Sequence, residues 1–589
     1  MAIELVGNRA GWQASSSQRR LRNIGRVTTP TTDGLAAPHP AGPASASDTP
    51  GDFDRVLAAA APAPTPAPVR LGSRLDDWWH RLVSTPGRRR AWAWGGPAIV
   101  VLVAAFTRLF NLGNPSSLVF DETFYVKDSW SLWNLGYSAN WPENADDSVN
   151  SGDLDVYYDS ASFVVHPPLG KWIIGLGMHL FGADSSFSWR ITTAITGILA
   201  VVLLMVIARI LFRSTLLATV AGMLFAVDGN AIVMSRVALL DNSVMFFALL
   251  GFLFVLLDRG WSKRRLDRWL VMREKLGLST DWGPALWWRP WLIAAAAAFG
   301  LCSAVKWNGL YFLAGFAVYT LIVDALERRR RGVLFWGTGT LLKQAPVSFL
   351  LTVPVAIVVH MSTWTSWFLS TKGYDRQWAA SADNAWNGPF EWVPRSIQSW
   401  LHYQQSVYNY HVGEMRPHPY QANPLSWLFM LRPTSMYWES TEKGDPGCFV
   451  DSCGASITGI ANPLIWWAAT LAVLYLVYRL VRFREWRVGL ILTGVAVGYL
   501  PWLLYLQRTV FQFYTIAFEP YLILALTMVI GLVLGSRRDP YWRRERGIRF
   551  VLVFFILVGL LSLFFWPLWT GMQFPIEFIR AHWWLPSWR

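Results

Sequence analysis

The chain has 589 residues, 53% of them hydrophobic and 36 of them Trp, with a formal net charge of +14 and a mean hydropathy of +0.29. Long apolar runs dominate from about residue 91 onward, which excludes a large soluble enzyme and points to a polytopic helical membrane protein. The positive charge needs no nucleic acid, because basic clusters flanking membrane spans orient the chain in a bilayer.

Residues 1 to about 75 are rich in Ala, Pro, Ser and Thr without apolar periodicity and read as a disordered cytoplasmic tail. The first long apolar segment starts near residue 92, so no cleavable signal peptide is expected. Runs of about 20 apolar residues give eleven spans, at 92–112, 188–212, 215–233, 237–258, 290–304, 307–326, 334–360, 463–482, 487–506, 512–535 and 549–570. With the N-terminus inside, the cytoplasmic connections carry Arg209 and Arg213, the block Arg259 to Lys275, and the basic stretches 327–332, 479–487 and 536–546. Every dense basic cluster then falls on one side. This predicts an all-α membrane domain over 76–570, an extracytoplasmic tail over 571–589, and outer segments at about 113–187 and 361–462. The stretches 117–137 and 389–411 are amphipathic and suited to lie along the membrane surface. Neither a soluble domain nor an internal repeat is visible.

Three cysteines occur. Cys302 sits in an apolar helix and reads as inert, while Cys448 and Cys453 frame a short polar segment. That pair forms a disulfide if its loop faces an oxidising compartment, and the segment offers too few ligands for a metal.

Polar residues gather where the charge pattern puts the outer ends of spans. Asp121 and Glu122 follow the first span, His166 and Lys171 lie in "HPPLGKW", and Arg190 opens the second. Asp228, Arg236, Asp241 and Asn242 lie between spans three and four, Lys306 between five and six, and Arg508 between nine and ten. Ionisable groups at membrane depth are costly and mark functional sites. A lone Arg or Lys can snorkel to the interface, but short carboxylates such as Asp121, Glu122 and Asp241 cannot reach far. Cations and carboxylates converging on one face suit a substrate that is anionic at one end and lipidic at the other: cations hold a phosphate, and a carboxylate takes a proton from an attacking hydroxyl. No Gly-rich phosphate loop, zinc motif or Ser-His-Asp signature appears.

Four motifs in order, "FDETFYVKD", "HPPLGKW", "SRVALLDN" and "SAVKWNGL", resemble the protein O-mannosyltransferases, over roughly residues 92–570. The resemblance implies a lipid-phosphosugar-dependent transferase of the GT-C fold in a bacterial plasma membrane, with its active site on the extracytoplasmic face. It implies a polyprenyl-phosphate mannose donor, no cofactor, and Ser/Thr hydroxyls of exported proteins as acceptors, with the bilayer and the secretion translocon as surroundings. Carried over by motif, Asp121 matches the catalytic base and Glu122 its partner, while His166, Lys171, Arg190, Arg236, Asp241 and Lys306 match polar positions of the substrate site. Two departures stand out: residues 361–462 lack the β-trefoil insertion of eukaryotic members, and "FQFYTIAFEPY" replaces their His-His-Tyr run beside Arg508. The expected phosphate ligands are Arg190, Lys306, Arg236 and Arg508, with Asp121 as base for an inverting attack and no divalent metal. Adjacent carboxylates repel, so one of the pair has a raised pKa unless a cation offsets it; the residues do not say which. Two alternatives remain: a lipid-phosphosugar transferase acting on a glycan or lipid, and a transporter or flippase, against which the one-sided polar cluster and the lack of repeats argue.

Overall fold

The computed structural model describes residues 70–589. The tail expected over 1–75 therefore lies outside the described residues as far as residue 69. Its last residues enter a short amphipathic helix, α1 (Arg74–Leu82), whose first turn is capped by the Ser73 hydroxyl accepting from the Asp76 amide.

All eleven apolar runs are helical. The first span is α2 (Pro86–Leu109). Helices α3 (Glu122–Leu135) and α4 (Leu169–Phe181) follow within the first long segment, and α5 (Ser186–Phe212) is the second span. The third run is broken into α6 (Thr215–Ala226) and α7 (Gly229–Arg236), bent by 62°. The break is built by Asp228, which leaves helical geometry and accepts from the Asn230 and Ala231 amides to start α7 afresh. Then come α8 (Asp241–Lys275), α9 (Pro290–Val305), α10 (Gly309–Arg330) and α11 (Ala345–Ser362), the last entered through a π-helical turn at Thr340–Gln344. The second long segment holds α12 (Arg395–Gly413) and the strands β1 (Thr434–Glu442) and β2 (Ser452–Gly459). The chain ends with α13 (Pro463–Phe483), α14 (Trp486–Tyr499), α15 (Glu519–Leu534), α16 (Tyr541–Thr570) and β3 (Gln573–Pro575). Among the described residues eight helices are long and apolar enough to cross a membrane, nine with the bent α6–α7 pair; α4, α9 and α15 are shorter apolar helices.

Helices in lipid gain no hydrophobic energy by meeting one another, so close approach through small residues decides the packing. A Cβ added to Gly300 of α9 would lie 2.8 Å from the Ala356 carbonyl oxygen of α11, and one on Gly177 of α4 would lie 2.3 Å from that of Ser188 on α5. The second contact seats the first long segment on span two. Outward-facing Leu102, Leu471 and Leu563 are 66–74% exposed, as side chains turned to lipid rather than water are.

The architecture also holds one small antiparallel sheet, ordered β1-β2-β3, that the sequence reading did not contain. The hairpin turns at Gly444-Asp445-Pro446-Gly447 and is closed by a Cys448–Cys453 disulfide. Its strands are Ser/Thr-rich, so they carry little apolar alternation for a sequence to show. The third strand comes from residues 571–589, which are built into the fold: Phe574 pairs with Gly454, and the Trp588 indole donates to the Met430 carbonyl at 2.8 Å.

Candidate active site

Glu122 and Asp121 are chain neighbours in opposite situations. Glu122 opens α3 and is completely buried. Its Oε1 accepts from Arg190 Nε and the Ala238 amide, both at 2.8 Å; its Oε2 accepts from Arg190 Nη2 at 2.8 Å and the Val119 amide at 2.9 Å. Arg190 also donates to the carbonyls of Pro115 and Ser117, at 2.7 and 2.9 Å. This two-pronged, charge-assisted pair ties the α2–α3 loop to α5 and to the segment after α7. With a longer contact to the Leu112 carbonyl at 3.4 Å, all five Arg190 N–H groups are engaged within the protein, against the expectation that Arg190 holds the phosphate, and Glu122 is its buried partner. Arg236, expected at the phosphate, is engaged with the backbone at two of its nitrogens. It is buried and donates to the Phe110 and Asn111 carbonyls, at 2.7 and 3.0 Å, capping the end of α2.

Asp121 is reached through Phe120, whose φ of 52° is left-handed, a conformation costing about 1–2 kcal/mol for a residue with a Cβ. Edge-on contacts with Phe511, Phe513 and His418, at 5.6, 5.7 and 5.9 Å between ring centres, hold it there. The phenylalanines that replace the His-His-Tyr run thus shape the turn before the carboxylate. Asp121 stands at the N-terminus of α3, half-buried, and makes no side-chain capping bond. Burial pushes its pKa up to about 6, with the Lys306 ammonium pulling it down and Asp241 pushing it further up. A carboxylate so placed is ionised at neutral pH yet basic enough to accept a proton.

Lys306 links Asp121 to a cleft of about 160 Å³, which it lines with His166, Tyr311, His411, Tyr505, Arg508 and Tyr514. Its ammonium pairs with Asp241 at 2.8 Å and sits 4.5 Å from the centre of the Tyr514 ring. Asp241 Oδ1, Arg508 Nε and His166 Nδ1 are buried without hydrogen-bond partners. Arg508 Nη2 meets His411 Nδ1 at 2.9 Å. Burial, then the neighbouring cations, hold the pKa of His166 far below the usual imidazole range, so it is neutral. Lys171 stands behind the cleft, paired with Asp128 at 3.2 Å and lining a separate cavity of about 30 Å³ that His166 also reaches.

The structure therefore brings Lys306, Asp241, His166 and Arg508 together beside Asp121, holds Lys171 one layer back, and places Glu122, Arg190 and Arg236 in the scaffold. Sequence reasoning missed His411, Asp128 and Tyr514. His411 lies in the amphipathic stretch 389–411, where its position at the end of the stretch was the only signal.

Known proteins resemble this chain over most of its length. The family described as dolichyl-phosphate-mannose-protein mannosyltransferase matches residues 165–281, and the C-terminal four-transmembrane region of protein O-mannosyltransferase matches residues 396–588. A polyprenol-phosphate-mannose–protein mannosyltransferase of Mycolicibacterium smegmatis is 30% identical over 510 residues, covering 85% of this chain and 94% of that one. One from Corynebacterium glutamicum is 30% identical over 507 residues, with the same coverage of 85% and 94%. The solved Saccharomyces cerevisiae Pmt1–Pmt2 complex bound to the sugar donor shares the fold, with a TM-score of 0.61 at 14% identity over 90% of this chain and 97% of that one. The helical bundle is thus of the GT-C type, and the chain belongs to the protein mannosyltransferase family.

Proposed function

We propose that this glycosyltransferase moves mannose from a polyprenyl-phosphate mannose to Ser or Thr hydroxyls of exported polypeptides, with Asp121 as general base. The observation that carries the reading is Asp121 itself: a half-buried carboxylate with a pKa of about 6 and no capping bond, next to a cleft lined by Lys306 and Arg508. The acceptor oxygen attacks the mannose C1 from the face opposite the phosphate, its proton passes to Asp121, and the C1–O bond to the phosphate breaks. The anomeric centre inverts. The departing polyprenyl phosphate gains one negative charge, which Lys306 and Arg508 stabilise where it develops. A phosphate leaves as an anion, so no protonated acid is needed, unlike the paired carboxylates of glycosidases. The prenyl tail leaves the cleft past Leu310, Trp502 and Val412 toward the bilayer.

The face carrying Asp121 is extracytoplasmic in this reading, with the N-terminus in the cytoplasm and acceptors met as they leave the secretion translocon. The basic clusters at 259–275, 327–332 and 536–546, all at the opposite ends of the spans, support that orientation. Purified protein incubated with polyprenyl-phosphate mannose and a Thr-containing peptide should yield O-mannosyl peptide of inverted configuration. No transfer, or transfer with retention, would overturn the proposal.

A further inference from the structure

We infer that His411 is a positioning residue that holds the Arg508 guanidinium at the cleft, with its imidazole fixed as the Nε2–H tautomer. The inference rests on the donor reading above, in which Arg508 contacts the phosphate. His411 stands near the end of α12, in the second long segment, and touches two other parts of the chain. Its Nε2 lies 2.8 Å from the Val165 carbonyl, in the first long segment, and its Nδ1 lies 2.9 Å from Arg508 Nη2. A carbonyl can only accept, so Nε2 carries the proton and donates to Val165. A guanidinium can only donate, so Nδ1 offers its lone pair to Arg508. Both contacts are satisfied by one protonation state, the neutral ring.

The surroundings keep that state. His411 faces the His166 ring at 5.2 Å and Tyr410 at 5.7 Å between centres, with Arg508, Lys306 and Glu414 as the charges acting on it. Burial first, then Arg508, hold its pKa at about 4, so it accepts from Arg508 throughout the neutral range. Tyr403, also on α12, donates to the Val164 carbonyl at 2.8 Å and accepts from the Val164 amide at 3.2 Å. The helix is thus anchored to the first long segment at two successive residues, and His411 transmits that anchoring to Arg508. With Arg508 Nε left unpartnered, the guanidinium is oriented at one nitrogen and keeps others for a ligand.

The test is a double-mutant cycle in donor kinetics, using Arg508→Ala, His411→Phe, the two combined, and His411→Asn. A hydrogen bond to a charged group typically contributes about ten- to a hundredfold, so His411→Phe should raise the donor KM by about that factor with a smaller change in kcat. His411→Asn, which keeps an acceptor near the place of Nδ1, should recover most of the loss. The combined variant should be no worse than Arg508→Ala alone, because His411 acts only through Arg508. Multiplying defects in the double variant, or a kcat loss with unchanged KM, would overturn the inference while wild-type transfer leaves the donor reading standing. If His411→Phe fails to fold, His411→Asn decides: a donor KM raised as much as in Arg508→Ala would equally overturn it. Absence of wild-type transfer would instead sink the reading on which the inference rests.

Discussion

The two faces of the helical bundle both bury charge, and the clusters around Arg289 and around Asp121 treat it differently. On the face opposite Asp121, Arg289 is buried between Asp258 and Asp324, and Arg544 is gripped by both oxygens of Asp76 while it donates to the Leu534 carbonyl. There each acid meets a cation in direct contact. On the Asp121 face, Glu122 and Arg190 repeat that pattern, but a few residues away Asp121, Asp241 Oδ1, Arg508 Nε and His166 Nδ1 keep unused hydrogen-bonding capacity. Leaving buried polar groups unpaired costs free energy, about 1–3 kcal/mol each. Orphaned atoms also occur on the opposite face, Arg328 Nε and Arg479 Nε among them; what marks the Asp121 face is that His166 and Arg508, each with an unpartnered nitrogen, line one cleft with Lys306, the partner of Asp241.

The largest expected effect comes from removing the Asp121 carboxylate. Asp121→Asn keeps the shape and should lower turnover by about 10²–10⁴-fold or more, with thermal unfolding of the purified protein unchanged; full activity would break the comparison at once. Arg190→Ala should act on the other side of the divide. It leaves Glu122 buried and uncompensated, at a cost of about 3–5 kcal/mol, so the loss should appear as poor yield and a lower melting temperature. Arg190→Lys should not restore it, because a lysine cannot make the two-pronged contact. Well-folded Arg190→Ala protein with only weakened donor binding would return Arg190 to the phosphate. Arg508→Ala should instead fold normally and raise the donor KM by about ten- to a hundredfold. Smaller again is the disulfide: Cys448→Ser opens a ring of few residues, where loop closure is worth about 2 kcal/mol, and should lower the melting temperature with activity retained. Smallest of all, EDTA should leave turnover unchanged, since in the proposed reading Lys306 and Arg508, which line the cleft, take the role a divalent ion would have beside a phosphate; loss restored by Mn²⁺ or Mg²⁺ would overturn that expectation.

Much of this was legible in the chain because membrane spans write themselves in long apolar runs. All eleven runs are helices, and the short fifth run proved to be the separate helix α9. The candidate residues were legible as a set, since carboxylates beside spans stand out, but not which of them are already paired within the fold. Composition cannot show that Glu122 is satisfied and Asp121 is not, because that depends on Arg190, Ala238 and Val119 converging from other parts of the chain. The hydrophobic pattern also underweights helices too short to span, so α4, with its 13 residues, merged into a loop. His411 and Tyr514 are polar or aromatic residues in settings that look like ordinary interface, and only the fold sets them against Arg508 and Lys306.

The pH dependence of kcat/KM tests the central claim most directly. A base must be ionised to act, so a carboxyl with a pKa of about 6 is competent above that value and is lost as pH falls through it. The histidines nearest the cleft do not confuse the profile, since His166 is held far below the usual imidazole range and His411 at about 4. The account predicts a rate that falls roughly tenfold per pH unit below a limb near pH 6, set by Asp121. A profile flat through that limb, or one unchanged in shape and height by Asp121→Asn, would contradict it.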